Sequence, residues 1–187
     1  MLNTERPDRV VANLLAGKVV IFTDQSPSAL IAPVSFLSFY ESPDDFNGRV
    51  LVGTFYRILR VLSFMIAIFL PAFYIAVVGF HSEILPFEIS QKVKVAVQDI
   101  PYRPLVEALI VEIFIEIIRE AAIRLPTPIG PTIGIVGGLV IGVAIVNAGL
   151  VSNLMVIVVA MTAIASFVVP SFEMNMTIRM IRFPFML

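Results

Sequence analysis

Apolar residues occupy this chain in long blocks. Residues 61–80, VLSFMIAIFLPAFYIAVVGF, hold no ionisable side chain over twenty positions, the length of helix that crosses a hydrocarbon core of about 30 Å. Pro71 inside the block removes one backbone donor and predicts a kink of the kind membrane helices tolerate. No charged residue occurs between Arg124 and Glu173. Two apolar runs, IGPTIGIVGGLVIGVAIV and LMVIVVAMTAIASFVV, flank the turn-forming NAGLVSN at 147–153, so the pattern predicts two helices folded back on one another. A further helix at 104–124 is apolar but studded with charge. The pattern therefore predicts a membrane domain over residues 49–187, with spans at about 58–80, 104–124, 129–146 and 154–170.

Residues 1–48 follow a different rhythm. Asp8, after Pro7, is placed to cap a short helix, RVVANLLA, that Gly17 ends in a left-handed C-cap. KVVIFTD and ALIAPV then read as two strands joined by QSPS in a hairpin. Two strands alone are marginally stable. This region is accordingly expected to be the C-terminal part of a cytosolic soluble α/β domain, and the whole chain a fragment of a longer membrane protein. The acids of SPDDF, residues 42–46, admit a metal site or a solvated turn, and the absence of a nearby His or third acid favours the turn.

Composition agrees with the blocks. Hydrophobic residues make up 58% of the chain and charged residues 14%, and the mean hydropathy is +0.96, well outside the balance of a soluble domain. The expected fold class is a mainly α-helical polytopic membrane protein with a small N-terminal α/β soluble segment. The chain contains no cysteine, which excludes disulfides and thiolate chemistry. A net charge of −1 gives no global attraction to nucleic acid. Arg49, Arg57 and Arg60 precede the first span, Arg119 and Arg124 precede the glycine-rich run, and Arg179 and Arg182 follow the last. The positive-inside rule puts these three regions on the cytosolic face, against the weaker opposing vote of Lys92, Lys94 and Arg103. His81, alone beyond the first span, reads as a solvated anchor before it reads as a pH sensor. No Ser/His/Asp set, phosphate loop or metal spacing appears, so neither an enzyme nor a cofactor is expected.

The charged helix is the chemical question. In VEALIVEIFIEIIREAAIR, residues 106–124, Glu112, Glu116 and Glu120 form one stripe about 80° wide, with Arg119 at its edge and Glu107 off it. A carboxylate at membrane depth costs about 2.5 kcal/mol or more, so it pairs, becomes protonated or faces a cavity. Three arrangements satisfy this. Glu116 can pair with Arg119 at i,i+3 and Glu120 with Arg124 at i,i+4. The segment can instead lie flat at the interface. Or Glu112 and Glu116 line a water-filled path that attracts cations. The next run spaces Gly130, Gly134, Gly138 and Gly142 four apart, which allows backbone-close packing between or within subunits, and Gly137 beside them is a notch or hinge.

These segments also resemble a known family. ERPDRVVANLLAGKVVIFTD (5–24), SPSALIAPVSF (26–36), EALIVEIFIEIIREAAIRLPTPIG (107–130), GIVGGLVIG (134–142), VSNLMVIVVAMTAIASFVVP (151–170) and IRFPFML (181–187) are similar to the GerA family, the A subunits of spore germinant receptors and the related SpoVAF protein. The resemblance implies a multi-pass protein of the inner membrane of a bacterial endospore, with a B-type transporter-like subunit and a C-type lipoprotein subunit as partners. It further implies a homo-oligomeric ring, with a pentamer as one size, that forms or gates a cation-release channel during germination. A non-conducting scaffold for the other subunits, or a carrier with a site near the midplane, are the alternatives. The family's acidic helix falls on Glu107, Glu112, Glu116, Glu120 and Arg119, and its glycine-rich helix on Gly134, Gly137, Gly138 and Gly142. Val143 and Asn147 stand where many relatives have Gln, so the polar role that the family's pattern implies there does not carry over directly. PSFEMN at 170–175 replaces the commoner PNY and points toward the SpoVAF branch.

Overall fold

A computed structural model describes residues 1–42, 45, 49–126 and 129–187. Strand β1 (Leu2–Thr4) leads into helix α1 (Pro7–Leu15), followed by β2 (Val19–Phe22) and β3 (Ala29–Ala32). Pro7 occupies the first turn of α1, where its missing N–H costs nothing. Asp8 lies inside that first turn, with Arg6 as the capping residue. Gly17, at φ +78°, donates to Leu14 O while Lys18 donates to Asn13 O, the paired bonds of a Schellman ending. The strands form an antiparallel sheet in the order β1-β3-β2, so the expected hairpin gains a third strand. Val19 faces Ala32 and Phe22 faces Ala29 on one side of β3, and Leu2 faces Ile31 on the other. Because β3 is paired on both edges, Ala29 and Ile31 are buried, together with Leu2 and with Val10 of α1.

The first long helix, α2, runs Val50–Gly79 and continues through Pro71. Among the described residues it is the helix long and apolar enough to cross a membrane. Gly137–Asn147 and Asn153–Phe167 are shorter apolar helices. Helix α3 (Phe87–Gln98) fills the stretch between α2 and α4 (Pro104–Arg124), and buries no residue. Helix α5 (Gly130–Asn147), α6 (Asn153–Phe167) and α7 (Phe172–Met186) complete the chain.

Packing divides the chain into two units, Met1–Phe64 with Ser166–Thr177, and Met65–Ala165 with Ile178–Leu187. The core of the second is built by Ile75 of α2, Ala108 and Val111 of α4, Val151 in the turn before α6, Met155 and Val159 of α6, and Met186 of α7. Phe69 and Phe185 meet edge to face at 5.0 Å, the geometry that aromatic quadrupoles favour.

The turn at 147–153 has the same ending as α1. Gly149, at φ +66°, donates to Val146 O and Leu150 donates to Ile145 O. An L side chain at such an angle costs about 1–2 kcal/mol. Gly138 has the opposite character, since a Cβ added there meets no atom within 4 Å. Gly149→Ala should therefore lower the stability of the detergent-solubilised full-length protein by about 1–2 kcal/mol, while Gly138→Ala leaves its melting temperature unchanged or higher; differential scanning fluorimetry of both variants checks the contrast.

Candidate functional site

Helix α4 is positioned by Pro104 in its first turn, and it carries acid at the start and Arg124 in the last turn, the order that complements a helix dipole. Its carboxylates do not share one environment. Glu107 is fully buried. One of its oxygens accepts from the backbone N–H of Ser152 at 2.6 Å and from the Ser152 hydroxyl at 2.5 Å. Ser152 Oγ also accepts from Met155 N at 3.2 Å and lies 3.3 Å from the Tyr74 hydroxyl. Glu107 thus places negative charge at the N-terminus of α6, where unpaired N–H groups and the dipole favour it. It joins α4, α6 and, through Tyr74, α2.

One and a half turns on, Glu112 is also fully buried and faces Arg182 of α7 at 2.8 Å, the two side chains being 0% and 1% exposed. Arg182 bridges onward to Glu116 at 3.0 Å, and Glu116 is held on its other oxygen by Arg179. Arg119 lies within electrostatic reach of Glu116, Arg179, Arg182 and Glu112. Glu120 and Arg124 form the expected i,i+4 pair at 2.7 Å. That pair is exposed, so it contributes little.

Around Glu116 the structure shows ion pairs that reach beyond α4, with Arg179 and Arg182 of α7 joining the carboxylate. Arg119, its neighbour along α4, stands within electrostatic reach of it, and Arg179 and Arg182 donate hydrogen bonds to it. Arg179, Arg182, Ser152 and Tyr74 were not among the residues the sequence pointed to as a site. A usable signal existed: arginines three apart on α7 share a face, as do glutamates four apart on α4, so two charged stripes of opposite sign can zip together.

The glycines divide in two. A Cβ at Gly137 would touch Ile118 at 3.7 Å and one at Gly134 would touch Ala122 at 3.9 Å, so these two let α5 approach α4. Gly138 and Gly142 instead border an apolar groove with Val111, Phe114, Ile118 and Ala160. Gly130 opens α5.

Asp45, the described member of the SPDDF acids, is held by cations of the chain itself. Asp44 lies outside the described residues. Arg60 donates to Asp45 at 2.5 Å, Ser42 N donates to it at 3.0 Å, and Arg57 stands 3.6 Å away. Burial works against its charge, but Arg60, Ser42 N–H and Arg57 outweigh burial and hold the carboxyl below its ordinary 3.8. A folded value below the unfolded one gives stability that is full above the unfolded value and is lost as pH falls through the folded one. Acid unfolding of the full-length protein should therefore show a component below about pH 4 that Asp45→Asn removes, read from circular dichroism along a pH series.

The buried pair supports a sharper expectation. Removing one partner of a buried ion pair strands the other and costs about 3–5 kcal/mol, whereas apolar replacement of both is close to neutral. Glu112→Leu and Arg182→Leu should each destabilise the full-length protein by about that amount. The double variant should be more stable than either single one, which a double-mutant cycle by chemical denaturation in detergent checks.

Comparison with known proteins adds identity to this geometry. The family model for the Bacillus/Clostridium GerA spore germination protein matches residues 1–187. Spore germination protein B1 of Bacillus subtilis (strain 168) is 49% identical over 182 residues, 97% of this chain and 38% of that protein. Spore germination protein GerIA of Bacillus cereus is 45% identical over 185 residues, 99% of this chain and 28% of the relative. A Bacillus subtilis (strain 168) protein named uncharacterized membrane protein YfkQ is 45% identical over 183 residues, 98% of this chain and 36% of its own length. The chain spans about a third of the length of these curated relatives. No solved structure matches it. With every residue inside the family match and relatives at this level of identity, the chain belongs to the GerA family of spore germination proteins.

Proposed function

We propose that this chain is part of an A-type subunit of a spore germination receptor, seated as a multi-pass protein in the inner membrane of the endospore. There it oligomerises and gates a path for cation release, working with a B-type transporter-like subunit and a C-type lipoprotein subunit. Family membership supports the germination role. The length and apolarity of α2, the apolar stretches of α5 and α6, and the name of the YfkQ relative, an uncharacterized membrane protein, support the membrane. On this reading the membrane domain covers residues 49–187, with α4 among its spans, and residues 1–48 belong to a cytosolic soluble domain.

The observation that carries the gating role is the network that joins Glu112 and Glu116 of α4 to Arg182 and Arg179 of α7. A carboxylate neutralised by an arginine does not attract a cation, and the same carboxylate released into water does. A shift of α7 along α4 exchanges one state for the other. The charges are thus kept closed by ion pairs and opened by movement, with Glu107 and Arg119 bounding the network and the glycine face of α5 packing the helices.

The pairing of both acids with arginines of the same chain also favours a second reading, a non-conducting scaffold for the other subunits. Ion flux separates the two. Full-length protein, reconstituted in liposomes with its partner subunits, should release monovalent cations on stimulation, and Arg179→Gln should raise the unstimulated leak several-fold. Flux that is absent in every combination, from protein that has inserted and assembled, leaves the scaffold.

A further inference from the structure

Helix α3 (Phe87–Gln98) is held by very little of its own chain. It is 12 residues long, and an isolated helix shorter than about 12–15 residues is only marginally stable in water. Among the described residues no side chain caps its N-terminus, and none of its own side chains is buried. It meets the single helical turn Ser82–Ile84 that precedes it, and that contact closes off none of its residues. Most helical stability in proteins comes from packing an amphipathic face, so α3 needs a surface to fold against.

Its pattern shows which face would do so. At about 100° per residue, Ile89, Val93, Ala96 and Val97 form an apolar stripe about 100° wide, the i, i+4, i+7, i+8 spacing of an amphipathic helix. Ile89 is 48% exposed, and the other three are half-buried. Lys92 and Lys94 flank the stripe on opposite sides, and Gln91 and Gln98 lie across the helix from it. Phe87, at the first position, and Val95 fall off the stripe. An apolar stripe edged by lysines suits a helix at a membrane interface, where the lysine stems follow the apolar boundary and their ammonium groups reach water. Position along the chain points to the same surface. At 1.5 Å per residue α3 is about 18 Å long, too short to cross a hydrocarbon core of about 30 Å. Residues 80–86 and 99–103 tie it to the end of α2 and the start of α4, and the second link reaches no more than about 20 Å when fully extended. With α2 and α4 as spans, those two points lie on the same face of the bilayer and keep α3 beside it.

We propose that α3 lies flat on the membrane surface, with Ile89, Val93, Ala96 and Val97 set into the boundary between lipid headgroups and acyl chains and Lys92 and Lys94 reaching outward among the headgroups. This rests on the reading of α2 and α4 as membrane spans. Anchored there, α3 fixes the depth at which α2 ends and α4 begins.

The test uses the full-length protein in phosphatidylcholine nanodiscs, with a fluorescent label on one cysteine at a time. Residues 1–187 contribute no cysteine of their own, and any elsewhere in the protein is replaced by Ser. Ile89→Cys, Val93→Cys and Val97→Cys report on the stripe, and Gln91→Cys and Gln98→Cys on the opposite face. Quenching by phosphatidylcholine spin-labelled near its headgroup should be several-fold stronger at the three stripe positions, and quenching by iodide several-fold stronger at the other two. Val93→Asp should remove most of the lipid quenching of a label at position 97. Equal iodide quenching at all five positions, with none from the lipid, places α3 in water and overturns the proposal. So does shielding of the stripe from both quenchers, which identifies a protein surface as its cover. Thiol labelling at both ends of α4 in sealed vesicles, through Arg103→Cys and Leu125→Cys, is read in parallel: labelling from the same side refutes the span itself, whereas opposite-side labelling with uniform quenching along α3 refutes the interfacial helix alone.

Discussion

Two arginines on α7 permit the carboxylates in the middle of α4 to lie against another helix. Glu112 and Glu116 sit among Ile, Val and Phe, where a lone carboxylate would have to be protonated or hydrated. Arg182 and Arg179 meet them from the facing helix. A buried ion pair of this kind adds little net stability compared with an apolar contact, because desolvation consumes most of the attraction. It does fix register. Sliding α7 by one turn along α4, about 5.4 Å, would set an arginine against aliphatic side chains and leave a carboxylate without its partner. The pairing therefore selects one alignment of the two helices and makes any other alignment a distinct, higher state.

Glu107 makes a comparable demand in a different way. Its partner is not a cation but the N-terminus of α6, reached through Ser152 N–H and hydroxyl. The same short turn is shaped by Gly149, whose positive φ reverses the chain after α5. Around these contacts, Ala108, Val111, Met155 and Val159 close the apolar core. Polar specificity and apolar packing are thus interleaved at the same few positions of α4.

Much of this architecture was legible in the amino-acid pattern. Twenty positions without charge announced α2, the Asn–Ala–Gly turn separated α5 from α6, and Gly17 and the hairpin residues outlined the N-terminal piece. Two elements and one set of contacts were not. Helix α3 was hidden because FEISQKVKVAVQ alternates Val with polar residues and so mimics a strand's period. Strand β1, three residues long, is formed only by pairing with β3, which lies far along the chain. The partners of the α4 acids were missed for the same reason: proximity on a helix is readable from spacing, but contact between helices depends on how they pack. Glu120–Arg124 is local and was visible. Glu116–Arg182 spans 66 positions and was not.

That separation in sequence bears on how the protein is made. Chains emerge from the ribosome N-terminus first, so α4 is synthesised while the groups that neutralise it do not yet exist. Ser152 arrives 45 residues after Glu107, and Arg182 arrives 66 residues after Glu116. Until then, the helix carries bare acids that resist burial in an apolar environment. Final burial of the α4 acids must therefore follow translation of α7, which makes the closing of this charge network a late, concerted event and not a helix-by-helix one.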